Sequence, residues 1–115
     1  LGQPQSDAYV GQLRAASRID RHAGESPLLD RLLIAALIEG RSCERFMLLS
    51  ERLKDADLRA FYRELMAAEA KHFTLFSSLA AQCCGEDESR RRLAVLAQRE
   101  AAIADRMPLL PTVHG

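Results

Sequence analysis

A glutamate and a histidine stand where the longest amphipathic stretch of this chain should be apolar. The segment from Leu58 to Leu79 reads LRAFYRELMAAEAKHFTLFSSL, and in it Leu58, Phe61, Tyr62, Leu65, Ala68, Phe76 and Leu79 recur at three- and four-residue steps. That spacing is one face of an α-helix. At about 100° per residue Glu69 and His72 fall near the centre of the same stripe, which predicts that both face the interior. An ionised carboxylate there is costly unless something pairs with it or coordinates it. Glu and His three apart on an inward helix face make the Glu-x-x-His element with which helical bundles ligate paired metal ions. The alternative is a plain buried Glu–His hydrogen bond.

The preceding segment bears on that choice. Ser26-Pro27 has the form of an N-cap followed by proline at the first helical position, and Asp30 suits the positive end of the helix dipole. From there LLDRLLIAALIEGRSCERFMLLSERL is apolar around most of its circumference as far as Arg41, as in a helix buried on several sides. Glu39 interrupts the run, in line with Leu32, Ala36, Cys43 and Phe46. The connection around Lys54 to Asp57 is short, so the two helices should lie antiparallel. Glu39 lies fifteen residues before Lys54 and Glu69 fifteen after it, which sets the two carboxylates at one height on facing helices. Glu44 would be off by roughly 7 Å at the rise of an α-helix and is the poorer candidate.

Composition bounds the rest. A chain of 115 residues, 48% of them hydrophobic, is enough for one domain with a single core. No stretch alternates with period two, so the class is all-α. Sixteen basic and sixteen acidic residues cancel, which removes any global field toward nucleic acid or membrane and leaves room only for a local patch. The longest apolar run, LLIAALI, is far too short to span a bilayer, and no signal-peptide pattern is visible. Three cysteines, two of them adjacent (Cys83 and Cys84), do not make a disulfide framework and fit a reduced cytoplasmic setting. Cys43 reads as a small core residue.

Taken in order, residues 1–26 are the least regular. LGQPQSDAY has the composition of a loop, and Asp7 could cap a short helix through about Arg18 with Tyr9, Val10 and Leu13 inward. DRHAGES then resets the chain, with His22 a solvated histidine. Two long helices follow, over 27–53 and about 57–84, and Gly85 breaks the second, with Glu86, Asp87 and Glu88 at the next N-terminus. The third helix, roughly 87–106, has Leu93, Leu96, Ala97, Ile103, Ala104 and Met107 on its apolar face and Glu100 in the middle of it. Folding back across Gly85 would set Glu100 level with Glu69 and His72. It is either an acceptor that orients a metal ligand or a carboxylate reaching an arginine at the bundle's edge. The opposite face, with Arg90, Arg91, Arg92, Arg99 and Arg106, is basic, and is either solvated surface or a phosphate contact. Residues 107–115 form a tail, with His114 uninvolved.

The segments LLDRLLIAALIEGRSCERFMLLSERLKD, LRAFYRELMAAEAKHFTLF and RLAVLAQREAAI resemble the C-terminal part of the tRNA 2-methylthio-N6-isopentenyladenosine hydroxylases, with IEGRSCERF and EAKHF the most specific pieces. YVGQL is similar to that family's crossover before the third core helix. The resemblance implies a ferritin-like, non-haem di-iron monooxygenase of the cytoplasm. It would use dioxygen and two external electrons from a donor system to hydroxylate the prenyl group beside the tRNA anticodon. It implies metal ligation by Glu39, Glu69 and His72; beside that, the residue pattern alone offers Glu100 as a candidate behind them and Arg90, Arg91, Arg92 and Arg99 as candidates for tRNA contact. It also implies that the chain is one portion of a ferritin-like domain: a crossover segment over 1–26, three helices over 27–106 and a tail. A complete site needs a further Glu and a further Glu-x-x-His, expected from an N-terminal helix pair of the parent protein. That pair would cover an otherwise exposed apolar patch of Leu33, Ile34, Leu37 and Ile38.

Two other classes share these features. A ferritin-like iron oxidase or peroxide-handling bundle would have the metal site and no RNA partner. A non-catalytic helical module would hold Glu39, Glu69 and His72 only as a buried polar network.

Overall fold

A computed structural model describes residues 4–107, the side chains from Ala8 onward. Four α-helices account for nearly all of them: α1 Pro4–Asp20, α2 Pro27–Arg52, α3 Ala56–Cys84 and α4 Glu86–Arg106. There is no strand among the described residues, so the all-α expectation holds and the arrangement is consistent with a ferritin-like bundle. The expected tail beyond Met107, with His114, and the proposed Asp7 cap lie outside the described residues and side chains.

Local chemistry fixes most helix ends. The Ser26 hydroxyl accepts from the Leu29 N–H at 3.2 Å, with Pro27 in the first turn of α2. The Asp55 carboxylate accepts from the Leu58 N–H at 3.0 Å and starts α3. Only residues 53–55 separate the two helices, so they run antiparallel as a hairpin. Their contacts show the register: a Cβ placed on Gly40 would touch the Phe73 ring at 3.4 Å, the Cys43 thiol donates to the Met66 carbonyl at 3.5 Å, and the Phe46 and Tyr62 ring centroids are 5.9 Å apart. Each step up α2 meets a step down α3. Gly85 alone joins α3 to α4, with φ of 90° and ψ of 151°, a conformation that residues with a Cβ avoid.

The core sits at one end of this hairpin. Tyr9 and Leu13 of α1, Leu29, Leu33 and Ile34 of α2, Ala80 of α3, and Leu96 and Ile103 of α4 form one buried cluster. Here α1 departs from expectation, since it is a helix of 17 residues beginning at Pro4 rather than a short one after a loop. The reason is tertiary. Tyr9, Leu13 and Ser17, four residues apart, are all buried, and that packing overrides a locally loop-like composition. The same helix corrects a second expectation. Leu33 and Ile34 are buried, and Leu37 and Ile38 pack against the core half-covered, so the outer face of α2 is not the bare patch.

The bare face lies on α3. Of its 29 residues only Ala80 is buried, and Leu58, Phe61, Leu75 and Leu79 are exposed, Phe61 to 53%. The stripe from Leu58 to Leu79 is thus helical as predicted, but most of it is uncovered. The hairpin extends past α1 and α4, giving extents of 50 × 27 × 20 Å and a radius of gyration of 15.4 Å, against about 13 Å for a compact domain of this length.

A third correction concerns Arg92. The buried positions of α4 are Ser89, Arg92, Leu96, Glu100 and Ile103, three and four residues apart, so Arg92 belongs to the inward stripe and not to the basic outer face. Its side chain is 2% exposed and that of its partner Asp30 is 1% exposed. Arg92 donates from Nε to Asp30 Oδ1 at 2.8 Å, and from Nη2 to Asp30 Oδ2 at 3.0 Å and to the Ser17 carbonyl at 2.9 Å. Arg21 Nε donates to Asp30 Oδ2 at 2.9 Å. Burial by itself pushes the Asp30 carboxyl up, but the hydrogen bonds from Arg92 and Arg21 outweigh it and hold the group below the usual aspartate value.

Two outcomes follow from this pair. Arg92→Ala is expected to lower unfolding stability in urea by about 3–5 kcal/mol, because it strands a buried charge; replacing both partners (Arg92→Met with Asp30→Leu) should restore most of the loss. With its folded pKa depressed, Asp30 contributes stability that is fully present above its unfolded value of about 3.9 and is lost as pH falls through the lower folded value. The acid limb of a stability profile below about pH 4 should therefore be flatter in Asp30→Asn than in the wild type.

Candidate metal centre

Because the α2–α3 turn is short and both helices are continuous, residues equidistant from it share a level. Glu39 on α2 and Glu69 and His72 on α3 meet in this way. Each offers a ligand atom, and these atoms all lie within 4.8 Å of one another. His72 Nδ1 is 3.7 Å from Glu39 Oε2 and 3.9 Å from Glu69 Oε1. Donors about 2.1 Å from one ion are at most about 4.2 Å apart, so both histidine–carboxylate separations already fit a shared ion. Two carboxylates and one imidazole form a hard oxygen-rich donor set, the type suited to iron or manganese. On this count the residues present fit a metal.

The level was foreseen, but the burial was not. The Glu39 and Glu69 side chains are 23% and 21% exposed and His72 is 52% exposed. His72 sits on the open side of the hairpin. Phe61, Leu65 and Leu79 lie eleven and seven residues before it and seven after it, the spacing of one helix face, so the metal-ligand candidates occupy the middle of the uncovered apolar stripe. Glu44 is exposed and paired with Arg41 at 3.0 Å, away from the cluster's chemistry.

Among the described residues Glu100 is bonded to none of Glu39, Glu69 and His72. It is buried and accepts from Tyr9 Oη at 2.6 Å and from Arg41 Nε and Nη2, each at 2.7 Å. The arginine at the bundle's edge is therefore its partner, joined by a tyrosine from α1 that sequence reasoning had placed inward without a role. Burial first, and then the bond to the Glu100 carboxylate, push the Tyr9 phenol well above its usual range. Arg41 closes IEGR two residues after Glu39. A charged residue ending an apolar helical run was the signal available for it.

The arginines assigned to tRNA are mostly committed elsewhere. Arg92 is buried against Asp30. Arg91 pairs with Glu25 and Glu88, and Arg99 with Asp20. Arg90 and Arg106 are exposed. His22 lies exposed in the α1–α2 loop, where its N–H donates to Glu25. No helix among the described residues is long and apolar enough to cross a membrane.

Comparison with known proteins gives the chain's family. The family described as tRNA-(MS[2]IO[6]A)-hydroxylase (MiaE) matches residues 4–115. The chain is 47% identical over 64 residues to a protein of Salmonella typhimurium named tRNA 2-(methylsulfanyl)-N(6)-isopentenyladenosine(37) hydroxylase, covering 56% of this chain and 23% of that protein. It is 45% identical over 72 residues to a protein of the same name from Pseudomonas putida, covering 63% of this chain and 33% of that protein. The matched part is thus no more than a third of either relative. No solved structure matches.

In a titration with Co2+ followed by its visible absorption, Glu69→Gln and His72→Ala are each expected to weaken binding about tenfold or more, on the scale that losing even a supporting contact of a metal site reaches. Cys43→Ala should bind as the wild type does, since its thiol is spent on the Met66 carbonyl.

Proposed function

The chain belongs to the tRNA-(MS[2]IO[6]A)-hydroxylase family, and from that premise we propose that it carries half of a non-haem di-iron centre. The centre would hydroxylate the isopentenyl group of 2-methylthio-N6-isopentenyladenosine beside the tRNA anticodon. The observation that carries the reading is the convergence of Glu39, Glu69 and His72 on two antiparallel helices, in the middle of an apolar stripe left largely uncovered by the described residues.

Bound iron would supply the oxidising power for an unactivated C–H bond, drawing on dioxygen and two external electrons from a donor system. Glu39 and Glu69 would hold the iron through hard carboxylate oxygens. His72 would complete one iron's coordination through the nitrogen it turns toward them. Phe61, Leu65 and Phe76 would wall the site and keep water out during reaction. The remaining ligands, one Glu and one Glu-x-x-His, would come from a helix pair that precedes residue 1 in the parent protein or sits on a separate chain. That pair would cover the α3 stripe. Helix α1 would be the end of the crossover leading from it, and residues 1–115 one portion of a ferritin-like domain. A tRNA substrate would favour a cytoplasmic setting.

An iron oxidase or peroxide-handling bundle would show the same ligands, and a non-catalytic module would show them as a polar network. The family match favours the tRNA reading over both. In the complete protein, His72→Ala should abolish loading of one iron position and eliminate hydroxylation of the modified adenosine, read by mass spectrometry of tRNA nucleosides. Normal amounts of the hydroxylated nucleoside in cells carrying only this variant would overturn the assignment.

A further inference from the structure

Of the cations that sequence reasoning offered to RNA, Arg91, Arg92 and Arg99 are consumed in ion pairs, but a different group of arginines is largely not. A groove of about 490 Å3 runs between α1 and the first half of α2, lined by Arg14, Arg18, Arg21 and Arg31. Its one carboxylate is Asp30, which is already held from behind by Arg92. Arg14 and Arg18 are four residues apart on one face of α1, Arg21 directly follows that helix's last residue, and Arg31 projects from α2. Arg14, Arg18 and Arg31 are exposed and make no ion pair among the described residues. Four guanidinium groups against one neutralised carboxylate give a strong local positive field in a chain whose net charge is zero.

We propose that this groove is the docking surface for the RNA backbone, with Arg14, Arg18 and Arg31 binding phosphates and Arg21 shared between them and Asp30. The proposal rests on the tRNA reading above. Three features argue for phosphodiester over a less specific anion surface. All four cations are arginine, whose planar fork meets phosphate oxygens in pairs. They line a concave groove and not a flat helix face, so the field is focused. The floor contributes Ile34 and Ile38, whose apolar side chains lower the local dielectric and strengthen each charge contact.

The test is binding of a labelled tRNA anticodon stem–loop to the full chain, by fluorescence anisotropy between 50 and 200 mM salt. The comparison is the triple variant Arg14→Gln, Arg18→Gln, Arg31→Gln. Counterion release predicts a salt slope shallower by about 2.7 for three lost duplex phosphate contacts, with an affinity loss of at least about tenfold at low salt. The variant Arg91→Gln, Arg99→Gln, which touches only paired surface cations, should keep the wild-type slope. All three exposed positions of the triple variant lie outside the core, and unchanged helical circular dichroism and Co2+ binding would confirm an intact fold. A wild-type slope in the triple variant overturns the groove and leaves the tRNA reading standing. A wild-type protein with no salt-dependent binding to the stem–loop overturns the tRNA reading, and the groove falls with it.

Discussion

The buried pair of Arg92 and Asp30 is the contact on which the arrangement of helices depends. One guanidinium on α4 meets a carboxylate in the first turn of α2 and, through the same nitrogen, a carbonyl near the end of α1. Three helices are thereby tied at one point. A carbonyl in the last turn of a helix lacks an intrahelical partner, and Arg92 supplies one where water cannot reach. Apolar side chains around it would pack in many ways, whereas a fork of hydrogen bonds accepts few. The Tyr9–Glu100–Arg41 group repeats the scheme two turns farther along α4, again joining α1, α2 and α4.

Helix α3 makes no contribution to either polar junction. It is held by its short turn, its pairing with α2 and the single glycine leading to α4. One end of the hairpin is thus clamped, and the metal-ligand candidates lie just beyond the clamp, midway along the hairpin, on an apolar stripe open to solvent. A metal site needs ligands on well-supported helices, and α2 is supported by α1 and α4 from Leu29 to Ala36, immediately before Glu39.

What could be read from the sequence was what local chemistry decides. Ser26-Pro27, Asp55 and Gly85 mark helix ends through their own backbone preferences, and the metal cluster follows from counting residues on either side of Lys54. What could not be read depended on distant partners. In the run Arg90-Arg91-Arg92 successive side chains point about 100° apart, so the run spans about 200° of the helix and its last member reaches the inward stripe. The step from Arg92 to Leu96 and Glu100 was present in the pattern, yet an arginine in an apolar stripe makes sense only once Asp30, 62 residues away, is known to meet it. The same holds for Leu33: its own apolarity demands cover, and only the fold tells that α1 and α4 provide it while the α3 stripe is left open.

The equal spacing of Glu39 and Glu69 about the α2–α3 turn makes the cluster a matter of counting, with an uneven tolerance to length changes. A residue added within the turn itself, where no hydrogen-bonded ladder runs, can be absorbed as slack. One added between Ala56 and Glu69 turns the histidine and glutamate by about 100° and carries them about 1.5 Å along the axis, off the face that Glu39 occupies. Seven added residues would restore the face but displace the pair by about 10.5 Å. The convergence of Glu39, Glu69 and His72 therefore depends on how many residues separate the turn from each of them, and far less on how the turn itself is built.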